Sequence, residues 1–508
     1  MNKNITRRDF LKLAGTLPVS VAVPRWMDSL DSLQNRPNIV VIVFDALSAN
    51  NLSFHGYQRE TMPNLSKLLE KAIVYHNHYA GGNFTTPGTA SLLTGVSPWF
   101  HRAFDLYGVV DESFENKNIF SAFDGYYRIS YTHNPVANTL LTQFKESVDE
   151  SFPLGKLLLT NDDFIYTFFK NDQDIASMSW IRATKSEEDG YSYSLFLARW
   201  FEVYRERMVT EHQSQFPRGI PHIAMNNYFL LEDAIDWLPE KLSNLPQPFM
   251  GYFHFMPPHD PYNTHKKFIG YFANDGYWPI FKPLDIFSDE KNRNFEFLLR
   301  KRTSYDEFIL YVDHEFGRLM NALEKTGLLQ NTWVILTSDH GEMFERGILG
   351  HLTPVLYQPV IRVPLVIFEP GRKTRTDIFT NTGAVDILPT LLHLTGQKPA
   401  DWSDGKVLPP FSNVQEPDRS LYVIQARKNP QDAPLTAATV ALIKDQYKLV
   451  YHFGYEELKA KGDRIELYDL RNDPEEINDL YQTNKEIGVD LLSELKTKLI
   501  NVNQPYTK

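Results

Sequence analysis

The run Asn38–Phe44 restricts the fold more than any other segment of this chain. Its residues, N-I-V-V-I-V-F, are almost all apolar and mostly β-branched. A run without polar alternation is typical of a strand that is buried on both faces, as in a parallel sheet. Asp45 follows directly, at the carboxyl end of the predicted strand. The run therefore favours an α/β fold with a polar residue at the edge of its sheet.

The rest of the chain alternates between helix and strand patterns. A helix start at residues 63–69 precedes a second predicted strand at 72–79, which leads through Gly81 and Gly82 to Thr85. Strand, helix, strand and helix in this order are typical of α/β proteins. Comparable patterns predict strands at 248–255, 333–337 and 363–368, helices at 305–326 and 386–394, and, beyond about residue 400, antiparallel strands at 437–452 and 465–470 with a final helix at 485–500.

Residues 1–30 resemble a twin-arginine export signal. Thr6–Lys12, T-R-R-D-F-L-K, carries the arginine pair, and the apolar run Leu13–Val23 follows it. That run is too short to span a membrane and is typical of the apolar part of a signal peptide. We therefore expect export by the twin-arginine machinery to the periplasm or beyond the cell, and no transmembrane segment in the mature chain.

At 508 residues the chain is long enough for one large domain and a smaller one. We assign residues 36–400 to a catalytic domain and residues 401–508 to a C-terminal subdomain with a small antiparallel sheet and a final helix. Residues 145–245 are rich in aromatic and charged side chains, and we interpret them as an insertion or lid.

The composition excludes several classes of protein. The formal net charge is −11, so the chain is a poor general ligand for nucleic acid or for anionic membranes, although local basic pockets stay open. There is no cysteine, which excludes disulfides, thiolate metal sites and cysteine nucleophiles. Any catalytic nucleophile must therefore be an oxygen or a nitrogen.

The segment Phe84–Gly95, F-T-T-P-G-T-A-S-L-L-T-G, is the candidate catalytic motif. Pro87 can open a helix, because its missing N–H would be unpaired there anyway. Thr85 would then lie just before the helix N-terminus, where free N–H groups and the helix dipole favour negative charge. This position suits a nucleophile that attacks an anionic ester. Taken alone, the segment also fits a capped surface helix.

Four side chains share one context, which is the carboxyl end of a predicted strand or the start of a helix: Asp45, Thr85, Asp339 and His340. Ligand sites of open α/β sheets form beyond the carboxyl ends of the strands. Each residue alone also fits a helix cap or a structural histidine. Together they supply three oxygens and one imidazole for one divalent cation, Mn²⁺, Mg²⁺, Ca²⁺ or Zn²⁺. Such a cation would lower the pKa of the Thr85 hydroxyl.

The order of these motifs resembles the sulfatase-like branch of the alkaline phosphatase superfamily. Residues 37–45 resemble its first strand and metal aspartate, residues 85–95 its nucleophile segment, and Thr337–Glu342 its second metal motif. Later landmarks are similar at residues 56–65, 362–365, 466–470 and 472–474. The resemblance implies a large mixed, mostly parallel sheet sandwiched by helices, with a smaller C-terminal α+β subdomain.

The chain also departs from that family. A sulfatase carries Cys or Ser where Thr85 stands and Arg where Thr89 stands, and these residues direct conversion to formylglycine. Threonine cannot give that aldehyde, because its extra methyl group would leave a ketone. The second aspartate of the family is Ala46 here, and its Gly-Lys-Trp-His segment is replaced by residues 131–135. The resemblance therefore implies a threonine-nucleophile type that lacks the formylglycine signature.

Several further residues receive roles from the resemblance. His259 and His351 match positions where the family has catalytic or ester-contacting side chains, although each also fits a loop histidine bonded to backbone. Asn83 and Asn134 are candidate donors to the substrate anion. His254 is a further substrate-binding candidate, and its place within a strand also fits the core or the surroundings of the site.

These observations predict an exported, metal-dependent hydrolase or transferase that acts on a phosphodiester or phosphomonoester through Thr85. Phosphate on a threonine can be displaced at phosphorus by water or an alcohol, whereas an alkyl sulfate lacks the exit that a formylglycine hydrate offers. One alternative is a sulfate-ester hydrolase of unusual mechanism. Another is a non-catalytic relative that binds an anionic glycan or a lipid headgroup.

Overall fold

The computed structural model describes residues 36–159, 192–222, 227–412, 419–460 and 462–507. The predicted export signal at residues 1–30 lies outside these residues. In chain order the strands are β1 (Asn38–Phe44), β2 (Ile73–Tyr75), β3 (His78–Tyr79), β4 (Tyr127–Thr132), β5 (Glu150–Ser151), β6 (Phe249–Phe255), β7 (Thr332–Thr337), β8 (Phe344–Glu345), β9 (Ile348–Leu349), β10 (Leu365–Phe368), β11 (Thr376–Ile378), β12 (Thr382–Gly383), β13 (Leu421–Gln425), β14 (Ala438–Lys444), β15 (Tyr447–Phe453) and β16 (Arg464–Asp469).

The helices lie between and after these strands. In chain order they are α1 (Pro63–Leu68), α2 (Thr85–Thr94), α3 (Pro98–His101), α4 (Pro135–Gln143), α5 (Ser192–Gln213), α6 (Leu231–Ser243), α7 (Phe295–Lys325), α8 (Gln358–Ile361), α9 (Ile387–Leu394) and α10 (Lys485–Asn503). Among the described helices, none combines the length and the apolar composition that a bilayer crossing demands.

An eight-stranded sheet with the order β11-β2-β10-β7-β1-β6-β4-β5 forms the centre of the protein. Strand β1 is parallel to both of its neighbours, β6 and β7, and only β10 runs against the strands beside it. The predicted mixed, mostly parallel sheet is therefore confirmed. Because β1, β6 and β7 are parallel neighbours, their carboxyl ends meet at one edge.

Strand β1 is buried on both faces, as its sequence predicts. Val40, Ile42 and Phe44 pack into an apolar core with α6 and α7, whereas Ile39 and Val41 pack on the other face with α2 and α9. Side chains alternate across a strand, so a strand covered by helices on both sides needs apolar residues at every position.

The boundaries of some elements differ from the predicted ones. Helix α7 starts ten residues before Tyr305, because Asn294 caps it by accepting a hydrogen bond from the Phe297 amide. Strand β10 starts after Pro364, which cannot donate to a ladder.

Part of the predicted insertion at residues 145–245 belongs to the main domain instead. Strand β5 pairs with β4 at the edge of the central sheet. Leu231, Ile235 and Leu238 of α6 are buried in the same core as α7. The aromatic composition that suggested a lid thus serves partly as core. Residues 160–191 lie outside the described residues.

The C-terminal subdomain is a four-stranded antiparallel sheet, β13-β14-β15-β16, covered by α10. Leu491, Leu495 and Leu499 of α10 pack against Leu442 and Leu449 of the sheet. Their spacing of four residues places them on one helix face, which the sequence pattern anticipates.

Candidate active site and metal centre

The carboxyl ends of β1, β6 and β7 bring four buried side chains together: Asp45, His254, Asp339 and His340. The Nε2 atom of His254 lies 3.1 Å from Asp45 Oδ2 and 3.7 Å from Asp339 Oδ2. The Nε2 atom of His340 lies 3.3 Å from Asp45 Oδ1 and 3.6 Å from Asp339 Oδ2. We call these four residues the His–Asp cluster.

His254 was expected to contact substrate, and its position corrects that expectation. The residue is fully buried, and ligand atoms of Asp45, His254 and Asp339 lie within 4.8 Å of one another. Tyr252 Oη is 3.1 Å from the other ring nitrogen, Nδ1. His254 therefore stands with the candidate metal ligands, behind the surface that a substrate would reach.

Thr85 is the first residue of α2, so the helix starts two residues earlier than the proline position predicts. Pro87 still lies in the first turn, where its missing N–H leaves no hydrogen bond unmade. The Thr85 Oγ1 atom lies 3.4 Å from His340 Nε2 and accepts a hydrogen bond of 3.3 Å from Asn134 Nδ2. The hydroxyl is therefore directed at the His–Asp cluster from the start of a helix.

Gly88 allows α2 to approach the end of β7 closely. A Cβ atom at this position would lie 2.1 Å from the carbonyl oxygen of Asp339. No side chain fits at such a distance. Thr89, which stands where the family has arginine, reaches the Asp339 carboxylate with Oγ1 3.5 Å from Oδ2. The residues after Thr85 thus pack α2 against Asp339.

The two predicted asparagine donors have different surroundings. Asn134 donates to Asp45 Oδ2 and to Thr85 Oγ1, so it orients the cluster and the hydroxyl. Asn83 directs its amide hydrogens at the carbonyl oxygens of His351 and Thr353, at 2.8 and 2.7 Å. Its donors are occupied, and the expectation that Asn83 binds the substrate anion is replaced by a role in holding the His351 loop.

His259 and His351 complete one wall of the site. The ring of His351 lies 4.2 Å from that of His340 and 4.9 Å from that of His259, measured between centroids. Nδ1 of His259 is 2.7 Å from the Asp260 carbonyl oxygen. His351 Nδ1 lies 3.1 Å from the carboxylate of Glu342, which is buried. The sequence includes Glu342 in a motif but gives no sign of this contact.

The pKa values of the site residues reflect two opposing effects, which are burial and the charges of neighbouring side chains. Burial alone would raise the pKa of Asp45, but the charge of His259 and the hydrogen bonds from His254 and His340 hold it well below its ordinary value. Burial alone would lower the pKa of His340, but the carboxylates of Asp339 and Asp45 raise it to about 9. The cluster therefore favours a charged Asp45 carboxylate that can face a cation.

His351 and Glu342 shift in the directions that burial imposes. Burial, followed by the charges of His340 and His259, lowers the pKa of His351 well below its usual range. Burial raises the pKa of Glu342 to about 7, against the opposing effects of His259 and His340. The His351 imidazole is therefore neutral at neutral pH, with Nδ1 at the Glu342 carboxylate.

The His–Asp cluster fits a divalent cation. Among the described residues, Asp45 and Asp339 form no ion pair with lysine or arginine, and their ion-pair partners are histidines. Asp45 Oδ1 is buried and has no hydrogen bond of good geometry within the described part of the chain. Burying two charged carboxylates raises the free energy of the folded protein unless a cation compensates their charge. Oxygen and imidazole donors suit Mn²⁺, Mg²⁺, Ca²⁺ or Zn²⁺.

Comparison with known proteins identifies the family. The Sulfatase family model matches residues 37–397, and a second model, "N-sulphoglucosamine sulphohydrolase, C-terminal", matches residues 353–505. The chain belongs to the sulfatase family, whose fold is that of the alkaline phosphatase-like superfamily, and it is a hydrolase of that family.

The similar proteins are distant. The choline-sulfatase of Rhizobium meliloti (strain 1021) is 24% identical over 476 residues, which cover 88% of this chain and 82% of that protein. The crystal structure of the phosphonate monoester hydrolase of Agrobacterium radiobacter aligns with a TM-score of 0.66 and 19% identity, over 93% of this chain and 96% of that chain. A structure of a 2-O GAG sulfatase aligns with a TM-score of 0.63 and 16% identity, over 93% of each chain. These likenesses establish the fold.

Proposed function

We propose that this protein is an exported, metal-dependent hydrolase or transferase that acts on a phosphoester through Thr85. The observation that carries the proposal is the place of the Thr85 hydroxyl. It lies at the start of α2, 3.4 Å from His340 of a cluster that fits a divalent cation, and it accepts a hydrogen bond from Asn134. A helix N-terminus favours the negative charge of an attacked ester.

The identity of the nucleophile favours phosphate over sulfate. A threonine gives no formylglycine, so a sulfated Thr85 could not expel sulfate by collapsing to an aldehyde. A phosphorylated Thr85 is open to attack at phosphorus by water or by an acceptor alcohol. A protein of the same fold is named a phosphonate monoester hydrolase, which indicates that this fold can serve a phosphorus substrate.

The reaction proceeds in two displacements. Thr85 gives up its hydroxyl proton to solvent, and Oγ1 attacks phosphorus in line, forming an oxygen–phosphorus bond while the bond to the leaving alcohol breaks. His259 donates a proton to the departing oxygen from Nε2, because its Nδ1 is engaged with the Asp260 carbonyl. Water or an acceptor hydroxyl then attacks phosphorus, the bond between phosphorus and Thr85 Oγ1 breaks, and the departing Thr85 oxygen regains its proton from solvent. A cation on the His–Asp cluster would supply positive charge that lowers the pKa of the Thr85 hydroxyl.

His351 takes the second proton-transfer role. Its neutral imidazole, with Nδ1 at Glu342, leaves Nε2 as an acceptor for the proton of the incoming water or alcohol. Asn134 donates hydrogen bonds to Thr85 and Asp45 and so orients both side chains during the two displacements. The arrangement assigns one histidine to each displacement.

The arginine pair Arg7–Arg8 and the apolar run after it support export through the twin-arginine pathway to the periplasm or the cell exterior. This pathway carries folded proteins, which would let the cation bind before export. The substrate is an anionic ester, and its alcohol portion would come from a glycan or a lipid headgroup.

Two other functions have specific support. Family membership and the similarity to a choline-sulfatase favour a sulfate-ester hydrolase of unusual mechanism. The absence of the family arginine at Thr89 favours a non-catalytic relative that binds an anionic glycan or lipid headgroup. The intact His–Asp cluster weighs against the second alternative.

A substrate panel separates these functions. Purified protein is loaded in turn with Mn²⁺, Mg²⁺, Ca²⁺ or Zn²⁺, and initial rates are measured on one aryl alcohol carried as phosphate monoester, phosphate diester and sulfate. The proposal predicts turnover of a phosphate ester at rates far above those for the sulfate. A preference for the sulfate would favour the first alternative, and no turnover with any metal would favour the second.

A further inference from the structure

Residues 278–286, which lie between β6 and α7, expose apolar side chains and bury charged ones. Trp278 and Phe281 are 64% and 72% exposed, whereas Lys282 and Asp285 are each 6% exposed. This reverses the usual distribution, in which charged residues face water and large apolar residues are covered. We call residues 278–286 the inverted loop.

The buried charges hold the inverted loop in this orientation. Lys282 Nζ lies 2.8 Å from the carboxylate of Glu345 and 2.7 Å from that of Glu475. Asp285 pairs with Arg464 of the C-terminal subdomain at 2.9 Å. Turning the loop over would leave these groups unpaired, at a cost that buried ion pairs make large. The apolar side chains are therefore kept in water by fixed contacts.

The inverted loop is attached to the segment that leads into the active site. The Asp285 amide donates to the Arg346 carbonyl oxygen at 2.9 Å, within the β8–β9 hairpin. That hairpin continues through Gly350 to His351, and the next residue, Leu352, is half exposed. The inverted loop is thus joined through one hairpin to the segment that carries His351. Clustered exposed apolar side chains mark surfaces that bind a partner.

The charge around the inverted loop indicates the kind of partner. Residues 266–301 contain seven basic and five acidic side chains, and without the buried Lys282 and Asp285 they contain six basic and four acidic ones, although the whole chain has a formal net charge of −11. A local positive excess beside exposed tryptophan, phenylalanine and isoleucine side chains complements an anionic lipid–water interface. An acidic partner surface of purely polar character would leave the apolar side chains uncovered.

We propose that the inverted loop docks the protein on a phospholipid bilayer that contains anionic lipid, so that lipid-borne esters reach the site without leaving the membrane surface. The net charge of the chain predicts poor binding to anionic membranes. The positive charge near the inverted loop makes this surface an exception. Docking does not depend on which atom is the catalytic nucleophile.

Vesicle sedimentation with the full chain tests this proposal. The wild type is compared with the double variant Trp278→Ala and Phe281→Ala, using vesicles of phosphatidylcholine with about one-third phosphatidylglycerol. The matched control is Phe379→Ala, which removes an aromatic side chain that is 67% exposed on another surface. We expect the apparent Kd for lipid to rise at least about tenfold in the double variant and to stay unchanged in the control.

Two further measurements keep the test independent of folding and of the reaction. The double variant should keep wild-type rates on a soluble ester, because neither residue touches the site, and Thr85→Ala should sediment with vesicles like the wild type. A wild type that stays in the supernatant at every lipid concentration would overturn the proposal. So would light scattering that finds a dimer in the wild type and a monomer in the double variant, since a second copy would then cover the loop.

Discussion

Two buried groups of charges in this protein differ in what neutralises them. In the His–Asp cluster, Asp45 and Asp339 face only imidazoles among their ion-pair partners in the described chain. In the C-terminal subdomain, Glu476 pairs with Lys448, while Arg464 pairs with Asp285 at 2.9 Å and with Glu466 at 2.7 Å. We call this second set, with residues Lys448, Glu476, Arg464, Asp285 and Glu466, the subdomain network.

The difference separates a structural site from a reactive one. Lysine and arginine keep their charge throughout the ordinary pH range, so each carboxylate of the subdomain network has a charged partner within the chain, and Glu466 also contacts His452. An imidazole neutralises a carboxylate only while it is protonated. When it loses that proton, the same nitrogen can bind a metal cation. The subdomain network holds the C-terminal subdomain against the inverted loop through Arg464 and Asp285, whereas the His–Asp cluster is suited to a metal ion.

Removing the Thr85 hydroxyl should have the largest effect. Thr85→Ala takes away the attacking oxygen and should lower kcat at least about 1,000-fold, because the proposed covalent bond to phosphorus forms at that oxygen. Thr86→Ala is the matched control, since it deletes the hydroxyl of the next buried threonine on α2. Initial rates and circular dichroism spectra of both variants check this prediction. Wild-type turnover in Thr85→Ala would show that Thr85 is not the nucleophile.

Substitutions in the two groups of charges should separate metal binding from stability. Above pH 9, where His340 is neutral, Asp339→Asn should abolish metal binding and turnover while the metal-free protein keeps its stability, because it removes a carboxylate that has no charged partner at that pH. Lys448→Met should leave Glu476 unpaired and lower the free energy of unfolding by about 3–5 kcal/mol.

Metal content and urea unfolding curves measure both effects. The folded Lys448→Met protein should bind metal like the wild type. If Asp339→Asn keeps its metal, or if it destabilises the metal-free protein as much as Lys448→Met does, the contrast between the two groups is lost.

The two groups should also respond to pH in opposite directions. The pKa of Glu466 is lowered to about 2 by His452 and Arg464 against the effect of burial, so its contribution is present above pH 4.5 and is lost as the pH falls towards 2. The pKa of His340 is raised to about 9 by Asp339 and Asp45 against burial, so its contribution is present below pH 6.5 and is lost as the pH rises through 9.

Urea unfolding of the metal-free protein at a series of pH values should show both losses, each of about 3 kcal/mol. Saturating metal should remove the alkaline loss and leave the acid one, since the cation takes the place of the His340 proton. An alkaline loss that persists unchanged with bound metal would show that the cation does not bind at this cluster.

The smallest expected effect concerns Glu342. Glu342→Gln keeps a hydrogen-bond acceptor for His351 Nδ1 but removes the negative charge, and it should lower kcat about tenfold with little change in KM. Glu296→Gln on the exposed start of α7 serves as the control. Unchanged kcat in Glu342→Gln would mean that the carboxylate does not position His351.

Much of the fold could be predicted from the sequence because local pattern and burial agree. The run Asn38–Phe44 is apolar at every position after Asn38, and the structure covers both of its faces. Asp45, Asp339 and His340 each follow a strand, so the shared edge of a parallel sheet brings them together. Thr85 could be found because it starts a helix that contains proline in its first turn.

The rest of the site depends on contacts that no local pattern contains. His254 lies inside an apolar strand, and only the register of β6 with β1, which places His254 opposite Val43, directs it to Asp45. The sequence predicts Asn83 as a donor to the substrate anion. Its amide hydrogens are instead bonded to the carbonyl oxygens of His351 and Thr353, in a loop that is distant in sequence. Such contacts join positions more than two hundred residues apart, and sequence periodicity is silent about them.

Detection of a phosphoryl group on Thr85 tests the central claim most directly. Metal-loaded protein is mixed with an aryl phosphate ester, quenched in acid within the first turnovers, digested, and analysed by mass spectrometry. The account predicts phosphate on the peptide that contains Thr85, appearing with the first release of alcohol and absent from Thr85→Ala. Release of alcohol without any phosphate on Thr85, together with turnover by Thr85→Ala, would contradict it.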